Sequence, residues 1–185
     1  MSAPVGPALA DGYDFSPVTT VADLGGGTGT LLAAVLARHP HLRGIVFDQP
    51  TVVGEAEPVL DRAGVRDRTA LVGGSFFEDV PAADVYLMKS ILHDWIDTDS
   101  IRILRTIRRA APGTARLLVI ELVLGQPNED LPGKLMDLHM LVMPGGAERT
   151  ADEWRRLFAA GGFELAGIRP LTGSWQLIEG IPAEG

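Results

Sequence analysis

A glycine-rich turn lies between a short apolar segment and a helical segment near the start of the chain, and few folds accommodate that arrangement. The run 23–29, with the sequence DLGGGTG, follows an apolar strand predicted at 21–24, and residues 30–38 show a helical pattern that ends before Pro40. Glycines let the backbone turn sharply and let a ligand approach the main chain, while the start of a helix offers free N–H groups. The sequence therefore predicts a ligand site at the carboxyl end of the first strand of an α/β sheet.

The remaining apolar segments predict the rest of that sheet. Short, nearly all-apolar runs are typical of parallel strands that helices cover on both faces, and they occur at 43–48, 69–73, 83–88 and 116–123. Two final strands, at 163–168 and 174–181, have no helix between them and predict an antiparallel hairpin. The predicted fold is a Rossmann-like, doubly wound α/β fold with a seven-stranded, mostly parallel sheet and a C-terminal antiparallel hairpin.

The connecting helices carry recognisable start and stop signals. We expect one helix to open at Pro50 and to end at Gly64, and a second to have Asp97 as its N-cap. Thr150 and Glu153 have the spacing of a capping box. Residues 134–143 show apolar side chains at helical spacing.

Length and composition limit the domain organisation and the class of partner. The chain has 185 residues, of which 46% are hydrophobic, and this predicts one globular domain. Residues 1–20 show no periodic pattern and are predicted to be a leader or a truncated linker, so that the domain spans 21–185. A formal charge of −8 argues against nucleic acid or an anionic membrane as a partner, because either needs a basic surface.

The same composition bears on location. Cysteine is absent, which rules out disulfides and thiolate metal sites, and no apolar run approaches the roughly 18 residues of a membrane span. We expect a soluble, cytoplasmic protein.

The glycine run fits one nucleotide-type cofactor better than others. A dinucleotide fingerprint needs a third glycine where this chain has Thr30 or Leu32, and no Lys-Ser/Thr pair follows the glycines as a P-loop requires. Asp48 ends the second predicted strand, where a carboxylate can accept both hydroxyls of a ribose. S-adenosylmethionine has a ribose and a carboxylate but no phosphate. A plain tight turn beside a solvated Asp48 and an NAD-dependent dehydrogenase are the alternatives.

A second informative segment, 87–95 with the sequence LMKSILHDW, follows the fourth predicted strand. It places His93 at the sheet edge where ligands collect in such folds. His93 is a candidate base, but a lone histidine at this position is more often a helix cap or a structural residue. Residues elsewhere in the chain are needed to decide.

Four segments occur in the order found in one enzyme family. The runs 23–29 and 87–95, Glu121 after the fifth strand, and 144–150 with the sequence PGGAERT together resemble the S-adenosylmethionine-dependent O-methyltransferases of the caffeate and hydroxyneurosporene type, including bacterial natural-product members. The resemblance covers roughly residues 13–181. It implies a methyltransferase catalytic domain over 21–185 that binds S-adenosyl-L-methionine and methylates a small aromatic hydroxylated acceptor, with no metal.

The resemblance also implies roles for individual residues. His93 is expected to be the general base, flanked by the carboxylates of Glu121 and Glu148. The expected cofactor-binding residues are Asp23, Gly25, Gly26, Gly27, Asp48, Gln49, Ser75, Phe76 and Lys89. Ser75 occupies a position where the family commonly has a carboxylate. The expected acceptor-binding residues are Trp95, Met136, Met140 and Asp94, the last with either a structural or a chemical role.

The proposed base is chemically reasonable. A phenol has a pKa near 10 and an imidazole one near 6.5, so complete proton transfer is uphill by about 5 kcal/mol. Carboxylates beside His93 lower that cost because they favour the imidazolium and hold its tautomer. Asp97 and Asp99 are interpreted as helix-start residues rather than metal ligands.

Family members carry an N-terminal helical domain that dimerises and supplies part of the acceptor pocket. The resemblance therefore implies a homodimer or a partner chain that supplies the missing helices. Two alternatives stay open: a non-catalytic S-adenosylmethionine-binding module or truncated domain that lacks its acceptor-binding half, and a relative diverted to hydroxylation or decarboxylation.

Overall fold

A seven-stranded sheet forms the centre of the molecule in the computed structural model, which describes residues 5–125 and 147–184. Its strand order is β3-β2-β1-β4-β5-β9-β8, and a separate two-stranded sheet pairs β6 with β7. The strands are β1 (Thr20–Leu24), β2 (Arg43–Asp48), β3 (Thr69–Gly73), β4 (Val85–Lys89), β5 (Arg116–Glu121), β6 (Val123–Leu124), β7 (Arg149–Thr150), β8 (Phe163–Thr172) and β9 (Trp175–Pro182). Strands β1 to β5 pair in parallel, and β9 pairs antiparallel with both β5 and β8. The predicted doubly wound sheet and its terminal hairpin are confirmed.

Helices pack against both faces of this sheet. They are α1 (Val5–Gly12), α2 (Thr30–Arg38), α3 (Glu57–Arg62), α4 (Asp97–Ala110) and α5 (Ala151–Gly161), with short 3₁₀ turns at Val53–Ala56, Arg66–Arg68 and Leu92–Asp94. No helix in the described ranges combines the length and the apolar character that a membrane crossing requires.

Two hydrophobic clusters, one on each face, explain why the central strands are apolar along their whole length. Leu87 packs with α1 and α2 in the first cluster, and its neighbours Tyr86 and Met88 pack with α4 and α5 in the second. Successive strand residues point to opposite faces, so a strand that is covered twice has no position for a polar side chain. Polar groups therefore collect at the ends of these strands.

The expectation that order begins near Val21 is wrong. Residues 5–12 form α1, in which Val5 and Leu9 are buried, and Phe15 is completely buried beyond its end. Val5 and Leu9 are one helical turn apart and therefore share a face, but two residues are too few to show a period among glycine, proline and alanine. This segment belongs to the first hydrophobic cluster.

Two predicted helix starts also need correction. A turn and a 3₁₀ segment follow β2, so the helix opens at Glu57 with Pro58 in its first turn, rather than at Pro50. Asp97 is the first helical residue of α4, and extended Ile96 occupies the cap position without a side-chain cap.

The other helix signals are confirmed or untested. The capping box of Thr150 and Glu153 forms in both directions, and Gly162 ends α5 in the left-handed conformation. The helical pattern predicted at 134–143 lies outside the described residues.

Candidate active site

The glycine turn folds tightly against the ends of two neighbouring strands. Gly25, Gly27 and Gly29 have φ angles of 72°, 51° and 71°, which favour glycine. The Gly25 N–H donates to the Phe47 carbonyl over 2.8 Å, and a Cβ on Gly25 would lie 2.4 Å from Cδ1 of Ile91. The turn is therefore in direct contact with the segment that follows β4 and carries His93.

Asp48 is held by main-chain groups at the end of β2. Its Oδ2 accepts the Gly27 N–H over 2.8 Å, and its Oδ1 accepts the Gln49 N–H over 2.7 Å. Each carboxylate oxygen has a second lone pair, so the fixed carboxylate can still accept hydrogen bonds from a pair of hydroxyl groups.

A cavity of about 460 Å³ opens on the glycine turn, and we call it the turn cavity. Asp23 and Lys89 line it on one side, and Val5, Gly6 and Pro7 line it on another. Sequence reasoning missed the last three because it assigned them to a leader. The cavity is thus closed partly by α1.

Asp23 is a buried acid that lines the turn cavity. The residue is 2% exposed, and its Oδ2 has no hydrogen-bond partner within residues 5–125 and 147–184. Burial raises the pKa of the Asp23 carboxyl to about 7; the Leu32 N–H and Lys89 act in the lowering direction, and Asp48 adds to the rise. A cation placed in this cavity would satisfy the orphaned oxygen.

Lys89 supplies the opposite charge at the same cavity. Its Nζ lies 4.5 Å from the centroid of the Trp175 ring and 3.4 Å from the Ser90 hydroxyl. Across the described parts of the chain, no carboxylate oxygen lies within 4.0 Å of this ammonium. The pair of Lys89 and Asp23 fits a ligand group that carries both a carboxylate and an ammonium.

A second cavity, also of about 460 Å³, lies on the other side of Asp48, and we call it the aromatic cavity. Three rings meet in it edge to face, with centroid distances of 5.2 Å between Phe76 and Phe77 and 4.8 Å between Phe77 and Trp95. Its further lining residues are Phe47, Asp48, Gln49, Pro50, Gly74, Ser75 and Glu78. The cavity offers apolar walls around a few polar groups, as a nucleobase requires.

Of the four residues expected to bind the acceptor, the structure describes Trp95 and Asp94. Trp95 faces the aromatic cavity beside Phe76, which is one of the expected cofactor-binding residues. Met136 and Met140 lie outside the described residues. Asp94 is close to the imidazole, with 3.5 Å between its Oδ1 and Nε2 of His93.

His93 lies in the 3₁₀ turn after β4, between two buried carboxylates. Its Nδ1 is 3.0 Å from Oε1 of Glu148 and 3.4 Å from Oε2 of Glu121. The side chains of the two glutamates are 1% and 0% exposed, and that of His93 is 16% exposed. The structure thus brings together the three residues that the resemblance singles out, from the ends of β4, β5 and β7.

The local charges favour the protonated imidazole. Burial acts to lower the pKa of His93, but the hydrogen bond to Glu148 and the charges of Glu121, Glu148 and Asp94 outweigh it and raise that pKa above its ordinary value. Burial raises the pKa of Glu121 to about 7, against the lowering effects of His93 and of backbone N–H groups. One of these N–H groups belongs to Ile91, which donates to Oε1 of Glu121 over 3.0 Å.

The same three side chains have the composition of a metal site. One ligand atom from each of His93, Glu121 and Glu148 lies within 4.8 Å of the others. Here Nδ1 of His93 instead makes its contacts directly with the two carboxylates. The expectation that the reaction needs no metal stays a prediction.

Arg149 is a residue of this site that sequence reasoning missed. It is 2% exposed, and its guanidinium donates to the carbonyls of Leu92 and Trp95 over 2.9 and 2.8 Å and to Oδ1 of Asp97 over 3.0 Å. These two carbonyls flank His93 in the chain, so Arg149 fixes both sides of the turn that presents the imidazole. No local signal reveals this, because its partners lie 52 to 57 positions away.

Comparison with known proteins places the chain in a family. The family model of the O-methyltransferase domain matches residues 5–164, so the chain belongs to the O-methyltransferase family. It is 51% identical over 176 residues to the phenazine O-methyltransferase of Lysobacter antibioticus, covering 95% of this chain and 52% of that protein. The chain thus spans about half the length of the curated relatives it matches.

Solved structures of methyltransferases superpose on this chain and support the same family. A methyltransferase of calicheamicin biosynthesis in its SAH-bound form superposes with a TM-score of 0.88 at 41% identity, over 96% of this chain and 53% of the other. An O-methyltransferase of neocarzinostatin biosynthesis, in complex with S-adenosylmethionine and 2-hydroxy-5-methyl naphthoic acid, superposes with a TM-score of 0.86 at 35% identity, over 94% and 52%.

Proposed function

We propose that this chain is the catalytic domain of an O-methyltransferase that moves a methyl group from S-adenosylmethionine to a phenolic hydroxyl of a small aromatic natural product. The observation that carries the proposal is the position of His93, with Nδ1 held 3.0 Å from buried Glu148, on the same sheet edge as the glycine turn. With His93 as the base, the base and the nucleotide-type site would lie at adjoining strand ends, and this proximity supports the proposal.

Each of the two cavities would hold a different part of the cofactor. Asp48 would accept the ribose hydroxyls, and the aromatic cavity would hold adenine against Phe76 and Trp95, with the Ser75 hydroxyl in reach of its polar edge. The turn cavity would hold the amino-acid end, its carboxylate at Lys89 and its ammonium at Asp23. When bound, S-adenosylmethionine supplies a methyl group activated by a sulfonium.

The histidine would then handle the acceptor's proton. When Nδ1–H donates to Glu148, the nitrogen left as an acceptor is Nε2, and it takes the hydroxyl proton. Glu148 and Glu121 stabilise the resulting imidazolium, as does Asp94 beside Nε2. This stabilisation acts against the roughly 5 kcal/mol by which transfer from a phenol to an ordinary imidazole is uphill.

The relatives support an aromatic acceptor. One is named a phenazine O-methyltransferase, and another was solved with a hydroxylated naphthoic acid. As the family resemblance implies, we further propose that helices from a second copy or from a partner chain contribute to the acceptor pocket.

Methyl transfer from labelled S-adenosylmethionine to a panel of hydroxyphenazines and hydroxynaphthoic acids tests the function. His93→Ala should lower transfer by at least about 100-fold and leave S-adenosylhomocysteine binding within about twofold, since the histidine lies outside both cavities. His41→Ala is the matched control, because His41 contacts the Phe15 carbonyl away from the site. Undiminished transfer by His93→Ala would refute the base. Cofactor binding without any transfer would support a non-catalytic binding module.

A further inference from the structure

We infer that Trp175 is a positioning residue that orients the Lys89 ammonium toward the carboxylate of the cofactor. The inference rests on the proposed function, in which Lys89 receives that carboxylate in the turn cavity. It starts from the 4.5 Å distance between Nζ of Lys89 and the centroid of the Trp175 ring.

Strand register explains why these two residues meet although they are far apart in sequence. Lys89 is paired with Ile120 across β4 and β5, and Ile120 is paired with Leu177 across β5 and β9. Trp175 precedes Leu177 by two residues and therefore faces the same side of the sheet. Because β9 runs antiparallel to β5, Trp175 stands beyond the carboxyl end of β5, at the edge where the turn cavity opens.

An indole ring suits this task better than a carboxylate. The ring attracts the ammonium through its π face and leaves the positive charge unneutralised. A carboxylate in the same place would form an ion pair and would compete with the ligand. Lys89 instead keeps a charge that is available to an anion, since among the residues that the structure describes its ammonium contacts the ring and the Ser90 hydroxyl.

The ring itself is held in place. Trp175 is half-buried and packs against the first hydrophobic cluster, together with Tyr13 and Leu171. A lysine side chain loses rotamer entropy when it is fixed. A ring that restricts this side chain before the ligand arrives reduces the entropy lost on binding.

Two ligands that differ by one group isolate the effect. Calorimetry measures the dissociation constants of S-adenosylhomocysteine and of its decarboxylated analogue for the full chain. Trp175→Leu should weaken S-adenosylhomocysteine by about five- to tenfold and the decarboxylated analogue by less than about twofold. Trp175→Phe should retain most of the affinity, because the ring face is kept.

Lys89→Met should remove the preference for the carboxylated ligand. Adding Trp175→Leu to it should cause no further loss of that preference, because the ring acts through the lysine. Leu171→Ala is the matched control: it disturbs the same cluster without touching the ammonium, and should affect both ligands equally.

The outcomes separate the inference from the function on which it rests. Equal weakening of both ligands by Trp175→Leu would reduce Trp175 to a packing residue and overturn the inference. A preference for the carboxylated ligand that survives Lys89→Met would overturn the inference together with the role of Lys89. An unmodified chain that binds neither ligand would refute the cofactor site itself.

Discussion

The two halves of the site are built in different ways. The cofactor half is built around main-chain N–H groups and acids from the first two strands, such as Gly27 and Asp48, which are 21 positions apart. The catalytic half consists of side chains from distant segments, such as His93 and Glu148, which are 55 positions apart. The first half is centred on a local motif, the glycine turn, whereas the second half has no local motif and exists only after the sheet has formed.

They also differ in what they leave for a ligand. In the cofactor half, Oδ2 of Asp23 has no hydrogen-bond partner, and Lys89 has no carboxylate within 4.0 Å among the residues that the structure describes. In the catalytic half, His93 lies beside two buried carboxylates and Arg149 is bonded on several sides, although Oε2 of Glu121 also has no hydrogen-bond partner among the described residues. The comparison indicates that the first half leaves an unpaired ammonium for a ligand, whereas the imidazole of the second half is already held by its neighbours.

Arg149→Met would break the catalytic half alone. It leaves the Leu92 and Trp95 carbonyls with weaker, longer hydrogen bonds, from the Ser100 hydroxyl and, at Leu92, from the Trp95 N–H. The free energy of unfolding in urea should fall by about 3–5 kcal/mol, because each lost hydrogen bond from a charged donor costs about 1.5–3 kcal/mol. Methyl transfer should fall by more than about 100-fold, while the affinity for S-adenosylhomocysteine changes by less than about threefold. Asp97→Asn is the control, since that side chain is 71% exposed. An equal loss of cofactor affinity would show that the halves are not separable.

Gly25→Ala should damage both halves, because its Cβ would press on Ile91, which links the turn to His93. We expect a loss of about 2–3 kcal/mol in unfolding free energy from the clash and the positive φ. Gly27→Ala is the matched control: its φ is also positive, but a Cβ there has no atom within 4 Å, so the loss should be about 1 kcal/mol. Similar losses in the two variants would show that the Ile91 contact does not matter.

Each half contains one buried acid with a raised pKa, and these two acids should make the free energy of unfolding depend on pH. The pKa values of Asp23 and Glu121 are raised to about 7, so between pH 4 and 7 the native state binds more protons than the unfolded chain. Their contribution to the free energy of unfolding is present below pH 4 and is lost as the pH rises through 7. Asp23→Asn and Glu121→Gln should each flatten the measured curve, by roughly 2 kcal/mol. A curve that neither substitution changes would refute the raised values.

Glu148→Gln should alter the titration of His93 without affecting the cofactor half. Removing the hydrogen-bonded charge lowers the pKa of the imidazole, so the NMR titration and the rising limb of the pH–rate profile move to lower pH. Asp94→Asn should cause a smaller shift, because Asp94 makes the weakest of the contributions that raise this pKa. A larger shift from Asp94→Asn would assign the imidazole's main partner to Asp94.

The smallest effect is expected at Ser90, which connects Lys89 of the cofactor half to the turn that carries His93. Ser90, with a φ of 56°, follows Lys89 and precedes the Ile91 N–H that binds Glu121. Ser90→Gly should change the free energy of unfolding by no more than about 1 kcal/mol, because relief of strain is offset by a more flexible unfolded chain. Ser90→Val should lower it by about 2 kcal/mol, since a β-branched residue tolerates this region poorly. Equal stabilities in thermal unfolding would show that the turn relaxes.

Features that depend on near neighbours could be predicted from the sequence. The glycine turn, the apolar strands and the capping box of Thr150 and Glu153 all depend on spacings within one turn or strand. The short helix α1 was missed because two buried residues do not make a period. His93, Glu121 and Glu148 could be grouped only through a family resemblance.

The amino-acid sequence by itself determined most of the strand and helix pattern and the glycine turn, because these follow from local conformational preference and from the spacing of apolar residues. Only the tertiary structure decided which distant side chains meet: Arg149 beneath the His93 turn, Trp95 in the aromatic cavity and Trp175 over Lys89. Such contacts depend on strand register and on the order of strands in the sheet, which set the distance between residues that the sequence keeps far apart.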